Sequence, residues 1–258
     1  MTPRVIPCLL LQKSGLVKTV RFRNPVYLGD PINTVRIFND KEVDELVVLD
    51  ITATVERRRP SYDLLKNVAS EAFMPLGYGG GIRDMEDVKR ILGLGFEKIV
   101  VNSYAAENPG FVTQAAEFAG SQSVVVSMDV KENLWGKYEV KTHRGQRATG
   151  YAPVAYAKRM EQAGAGELFL TSVDRDGTMK GYDLPLIKAV TAAVGIPVVA
   201  CGGAGSLNDL GQAVREGGAS AAGAGSIFVF QGPHRAVLIS YPEYREIVNL
   251  FNEGREET

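Results

Sequence analysis

Two runs of glycine stand out for what they could hold: Gly79, Gly80 and Gly81, then Gly202, Gly203 and Gly205. Each follows a short apolar run that reads as a β-strand and precedes an amphipathic stretch that reads as a helix. Glycine lacks a Cβ, so backbone N–H groups there can approach a phosphate closely, and the helix start that follows adds partial positive charge. A single such run is more often a tight turn; the duplication favours phosphate. Asn102 with Ser103, and Gly225 with Ser226, end the neighbouring apolar runs and offer hydroxyl, amide and backbone donors to complete each clamp. Two clamps imply a ligand with two phosphates.

Polar residues between the clamps are the candidate catalysts. Asp129 ends one apolar run, Asp50 and Thr52 another, Thr171 and Ser172 a third, and "VDRDGTMKGYD" follows with Asp174, Asp176 and Lys180. A strand-end acid serves either as a loop cap or as a general acid or base. The segment "KSGLVK" carries Lys13 and Lys18, which read either as a solvated loop or as a mobile lid over an anionic ligand. A second set of charges, Arg4, Glu45, Lys98 and Glu167, stands at the opposite, N-terminal ends of four apolar runs. Its two bases and two acids read either as exposed rim pairs or as one inward ring closing a barrel floor.

The elements that must position these groups are legible in the pattern. Eight Val-, Ile- and Leu-rich runs can be counted: "RVIPCLLL", "ELVVLDI", "MPLGYGG", "KIVVNS", "SVVVSMDV", "ELFLTS", "PVVACGG" and "ASAAGAGS". Amphipathic stretches alternate with them, as in "DMEDVKRILGLG", capped by Asp84, and "SLNDLGQAVREGG", capped by Ser206. Residues 132–149 interrupt the scheme and read as a β-hairpin inserted after the fifth strand, turning around Arg144 and Gly145. Three motifs recur at offsets of 121, 123 and 122 residues (168 − 47, 200 − 77, 223 − 101), which predicts two fused half-barrels, about 1–121 and 122–258. The expected fold is α/β: a single eight-stranded parallel β/α barrel, with its active face at the C-terminal ends of the strands.

Composition narrows the function classes. Thirty acids against 29 Lys and Arg leave no broad basic field for nucleic acid, and no apolar run is long enough to span a membrane. The N-terminus lacks a signal-peptide pattern, so the expected location is cytoplasmic. Two cysteines, Cys8 and Cys201, far apart and without metal-ligand spacing, read as small buried hydrophobes; neither metal nor cofactor is expected. The charged tail "NEGREET" reads as frayed.

Over nearly its whole length the chain resembles the cyclase subunit of imidazole glycerol phosphate synthase, through "IPCL", "DELVVLDITA", "GGGI", "GSQSVVV", "GAGELFLTSVDRDGTMKGYD" and "GGAG". The resemblance implies a β/α barrel that takes ammonia from a glutaminase subunit docked on its floor, beside Glu97, and delivers it to a bisphosphorylated ribonucleotide at the top. It makes Arg4, Glu45, Lys98 and Glu167 a charged ammonia gate, and Asp129 one of two catalytic aspartates, assisted by Lys18 and Asp176. The phosphate-binding set becomes Gly80, Gly81, Asn102, Ser103, Asp174, Gly177, Gly202, Gly203, Gly225 and Ser226.

One position departs from the family. "VIPCLLLQ" (residues 5–12) looks like a copy of "VVVSMDVK" (124–131), yet Leu10 stands where Asp129 has its acid and where the family carries its other catalytic aspartate. The segment around it, "LLLQKSGLVKTVRFRNPVYLGDP", is similar instead to a clade of cyclase-like proteins from surface-polysaccharide gene sets. That likeness implies a synthase-like, lyase-family subunit that passes ammonia to a sugar amidotransferase making acetamidino sugars. The alternative is a histidine-pathway cyclase; an unrelated phosphosugar isomerase would leave the floor charges unexplained.

Overall fold

The computed structural model describes residues 3–232 and 234–252, so most of the charged tail lies outside the described residues. Eight parallel strands form a closed barrel: β1 (Arg4–Gln12), β2 (Leu46–Asp50), β3 (Leu76–Gly79), β4 (Lys98–Val101), β5 (Val124–Glu132), β6 (Glu167–Ser172), β7 (Val198–Cys201) and β8 (Ala221–Ala224). Each pairs with its neighbours in sequence, and Arg4 opposite Ala221 joins β1 to β8 and closes the ring. Helices fill the connections, as parallel strands require a crossover.

The strand residues explain two concentric cores. Side chains alternate across a strand, so each strand feeds both faces. Ile6, Cys8, Val47, Val100, Val125, Phe169, Val199 and Ala221 fill the barrel interior. Val5, Leu9, Leu46, Val48, Ile99, Val126 and Leu168 point outward into a larger core shared with the helices. The sequence alternation therefore separates a narrow inner column from the bulk of the hydrophobic burial.

Helix starts follow local side-chain chemistry. Asp84 caps Met85–Gly93 by accepting the Asp87 N–H at 2.9 Å, and Ser206 caps Leu207–Arg215 in a reciprocal capping box with Asp209. Asp87 is fully buried on its helix's inner face, where Arg59 (2.7 Å), the Tyr62 hydroxyl and the Arg83 N–H (3.0 Å) surround its carboxylate. A periodicity reading assigns that face to apolar residues alone; a buried acid is tolerated there because every oxygen is paired.

Two excursions depart from a plain barrel. Residues 13–18 are not an irregular solvated loop: Gly15–Val20 pairs antiparallel with the end of β1, Leu10 opposite Val17, and Arg23–Gly29 pairs with it in turn. Lys18 is buried on that strand, and Lys13 sits exposed in the turn before it. The insertion after β5 is a three-stranded meander: β5 pairs with Tyr138–Thr142, which pairs with Arg147–Ala148. Its first turn lies at residues 133–137, so the turn at Arg144 and Gly145 is the second.

Candidate active site at the barrel mouth

At the C-terminal ends of the strands one cavity collects groups from all eight. Leu10 lines it from β1 and Asp129 from β5, strands on opposite sides of an eight-stranded ring. Lys18, Gly80, Gly81, Asn102, Ser103, Thr171, Asp176, Gly177, Gly202, Gly203, Gly225 and Ser226 line the same space. The tertiary fold thus brings both glycine clusters, their neighbours and the acids to one mouth.

Several named residues stand elsewhere. Asp174 does not line the cavity; its carboxylate accepts the Glu132 N–H at 2.9 Å and its carbonyl accepts Arg21 Nε at 3.0 Å, so it ties the two excursions together. Lys180 is exposed. Asp50 lines the mouth but is spent locally, accepting the Thr52 and Ala53 N–H groups at 3.0 Å each and facing Arg58 at 3.4 Å. That is the loop-cap alternative realised. Residues whose role the sequence did not signal also reach the cavity, among them Phe22, Thr54, Tyr104 and Arg144. Thr54 and Tyr104 come from the segments just after β2 and β4, whereas Phe22 and Arg144 are brought there by two remote turns that no local motif announces.

The glycines are dictated first by the chain. Gly80 has φ +119° and Gly203 φ +121°, both in the left-handed half of conformational space. A Cβ on Gly80 would sit 2.4 Å from the Asp50 carbonyl oxygen, and one on Gly203 would sit 2.2 Å from that of Gly181. Ser226 is different: its hydroxyl is buried and has no hydrogen-bond partner among the described residues. A buried hydroxyl left unpaired is costly, so an oxygen-rich ligand at this clamp has a donor waiting for it.

Charge in the mouth is organised in pairs. Lys18 Nζ donates to Asp176 at 2.9 Å with both side chains buried, and the Thr19 hydroxyl donates to the same carboxylate at 3.4 Å. Asp129 keeps contact with the cavity but has protein around it; burial, then the neighbouring Asp176 charge, push its carboxyl up to about 7, against weaker opposition from Asn102 and Ser127. Between about pH 4 and pH 7 the folded chain therefore keeps a proton that the unfolded chain has lost. Stability falls as pH rises through that window, by at most about 4 kcal/mol, and levels off above it. Asp129→Asn should remove this slope: its melting temperature, compared with wild type, should gain progressively from pH 4 to 7. A constant difference across that range would refute the shift.

Inside the barrel below the mouth, the two cysteines meet. The Cys8 thiol donates to the Ile6 carbonyl at 3.4 Å, and the neighbouring Cys201 thiol together with burial pushes it well above the usual thiol range, so it is a poor nucleophile. Both thiols are free. Among the described residues, no cluster of three or more His, Cys, Asp or Glu is placed to hold a metal ion, and no helix is long and apolar enough to cross a membrane.

The opposite end of the barrel carries a closed ring of charge. Arg4 donates to both Glu45 and Glu167, and Lys98 Nζ donates to Glu45 at 2.9 Å and to Glu167 at 2.8 Å. Cation and anion alternate around four positions, with both carboxylates buried. Glu97, next to Lys98, is exposed and accepts the Leu76 N–H at 2.6 Å.

A family model described as "Histidine biosynthesis protein" matches residues 4–234. A protein of Pseudomonas aeruginosa, provisionally named imidazole glycerol phosphate synthase subunit hisF2, is 49% identical over 244 residues, covering 95% of this chain and 97% of its own length. One from Leptospira interrogans, named in the same provisional way as subunit HisF, is 48% identical over 97% of this chain and 99% of its own. The imidazole glycerol phosphate synthase subunit HisF of Alkaliphilus metalliredigens is 47% identical over 88% of this chain and 90% of its own. Since the match runs from the first strand of the barrel past the last, the chain belongs to the histidine biosynthesis protein family, among its HisF-like imidazole glycerol phosphate synthase subunits.

Proposed function

We propose that the protein is the synthase-like subunit of a glutamine amidotransferase complex: it accepts ammonia at its floor from a glutaminase-like partner and conducts it through the barrel to an acceptor at the mouth. The carrying observation is Leu10, an alkyl side chain lining the mouth across the barrel from Asp129, combined with the complete charged ring below. Leucine cannot transfer a proton, whereas passage of ammonia needs only a gate and a dry route. The inner column between ring and mouth is apolar and favours neutral ammonia over ammonium.

Exposed Phe73 and Phe118 stand in the segments that lead into β3 and β5 on the floor side, and supply apolar area for the partner beside Glu97. On the mouth side, Leu134 and Trp135 project almost fully exposed from the insertion's first turn, a contact surface for the ammonia acceptor. A sugar amidotransferase that converts an acetamido to an acetamidino group fits that place, and its product would serve surface-polysaccharide synthesis. The mouth retains Asp129, Lys18 and Asp176 as the catalytic remainder. It also retains a phosphate clamp at Gly80, Gly81, Asn102 and Ser103 and another at Gly177, Gly202, Gly203, Gly225 and Ser226, where the unpaired Ser226 hydroxyl supports an oxyanion ligand.

These retained groups favour one second reading, a cyclase of histidine biosynthesis; the relative from Alkaliphilus metalliredigens is named an imidazole glycerol phosphate synthase subunit. Size-exclusion chromatography with the glutaminase-like protein produced by a neighbouring gene separates the ideas from an unrelated barrel enzyme. A stable complex whose glutaminase activity rises over the free subunit is expected. Absence of any complex would remove the conduit reading.

A further inference from the structure

The roof of the mouth holds a cation that no function above has used. Arg144 lines the cavity, half-buried, and among the described residues it forms no ion pair and no side-chain hydrogen bond. The other cation lining the cavity, Lys18, is neutralised by Asp176. Asp129 does not supply Arg144 with a counter-charge: among the described residues its carboxylate forms no ion pair, and no cation is among the groups acting on it. A half-buried guanidinium without an anion is costly to keep unless a ligand brings one.

The turn that presents Arg144 is built for position. His143, Arg144 and Gly145 adopt φ of +51°, +60° and +75°, a left-handed run that two non-glycine residues adopt only when their surroundings demand it. The anchor is the first clamp itself: the His143 N–H donates to Ser103 Oγ at 3.0 Å. Ser103 in turn donates to Asn102 Oδ1 at 3.4 Å. On the other side Phe22, from the turn of the first excursion, lies against Gly145, where an added Cβ would meet its ring at 3.4 Å. The insertion is therefore fastened to the very residues that face the ligand.

We infer that Arg144 is a ligand-binding residue, whose guanidinium takes two oxygens of a phosphate group held at Gly80, Gly81, Asn102 and Ser103, and that it makes this clamp the tighter of the two. The inference rests on the phosphate reading of the mouth and breaks the expected equivalence of its halves. Arginine's planar fork matches a phosphate bidentately, and lysine's point charge does not. At the second clamp Lys18 is already committed to Asp176, and the two arginines beside it are turned to backbone, Arg235 to the Gly177 carbonyl and Arg175 to the Lys180 carbonyl, each at 3.2 Å, with neither lining the cavity.

Inorganic phosphate titrated into the purified chain, followed by calorimetry and by phosphorus NMR, tests it. Wild type should show one stronger and one weaker site. Arg144→Gln should weaken the stronger site roughly 10- to 100-fold, the range for losing a charge-assisted pair of hydrogen bonds, and leave the weaker site unchanged, with a phosphate-free melting temperature no lower than that of wild type. Arg144→Lys should recover only part of the loss. If wild type binds phosphate and Arg144→Gln binds it equally well, the role of Arg144 is refuted and the clamps stand. If wild type binds no phosphate, the clamps themselves fall and this inference with them.

Discussion

Given ammonia and the phosphorylated ribonucleotide that imidazole glycerol phosphate synthases cyclise, the purified chain should turn over about 10²- to 10⁴-fold more slowly than a family member carrying an acid at position 10, the usual cost of losing one proton-transfer partner. The physical basis is the pairing across the barrel. Asp129, with its carboxyl near 7, is poised to exchange a proton at physiological pH, but Leu10 on the facing strand offers none in return. Leu10→Asp should restore part of the activity, because the position already lines the cavity and is only half-buried, so a carboxylate there can remain hydrated. Recovery should stay incomplete: Val17 on the first excursion pairs directly with Leu10, and this strand is packed for an apolar neighbour. Growth of a strain lacking the histidine-pathway cyclase, rescued by the wild-type gene, would sink the conduit reading and establish the cyclase.

The floor should be equally sensitive, in a different way. Lys98→Met removes one of the two cations that neutralise Glu45 and Glu167, leaving Arg4 to serve both buried carboxylates. Breaking a buried pair costs about 3 kcal/mol even at the low end, and the low end applies because Arg4 remains. Chemical denaturation of the purified variant measures this loss. Function should divide by ammonia source: glutamine-driven product formation in the assembled complex should fall, and product formation from added ammonium salt should persist, since free ammonia reaches the mouth from solution. A variant that keeps its full glutamine-driven rate would show that the ring is a structural clasp and no gate.

Much of this molecule can be read before folding is considered. Most strand segments were legible because parallel strands buried on both faces read as Val- and Ile-rich runs, and "SVVVSMDV" and "ELFLTS" fall on β5 and β6 within two residues; β3 and β8, in "MPLGYGG" and "ASAAGAGS", were legible from their place in the repeat. The caps at Asp84 and Ser206 were legible because a cap is a local bond over three residues. The four floor charges were legible as a set because each starts a strand, and strand starts meet at one end of a barrel. Leu10 drew attention because the matching strand at residues 124–131 carries Asp129 at the same place.

The remainder depended on contacts between remote segments. "KSGLVK" carries no local signal that separates a loop from an edge strand; pairing with β1 decides it, and with it the burial of Lys18 against Asp176, 158 residues away. Asp174 and Asp176 lie two residues apart in one motif, yet one ties the excursions together and the other faces the mouth, because successive side chains leave a turn in different directions. Whether the floor charges form rim pairs or a ring followed from the barrel's closure, which sets Arg4 and Lys98 between the same two carboxylates. The sequence by itself determined the elements, their order and the leucine at the end of β1, since those depend on spacing and residue type. Only the tertiary structure decided which charges are paired and which, like Arg144 among the described residues, stand free, because pairing depends on distances between segments that no local pattern encodes.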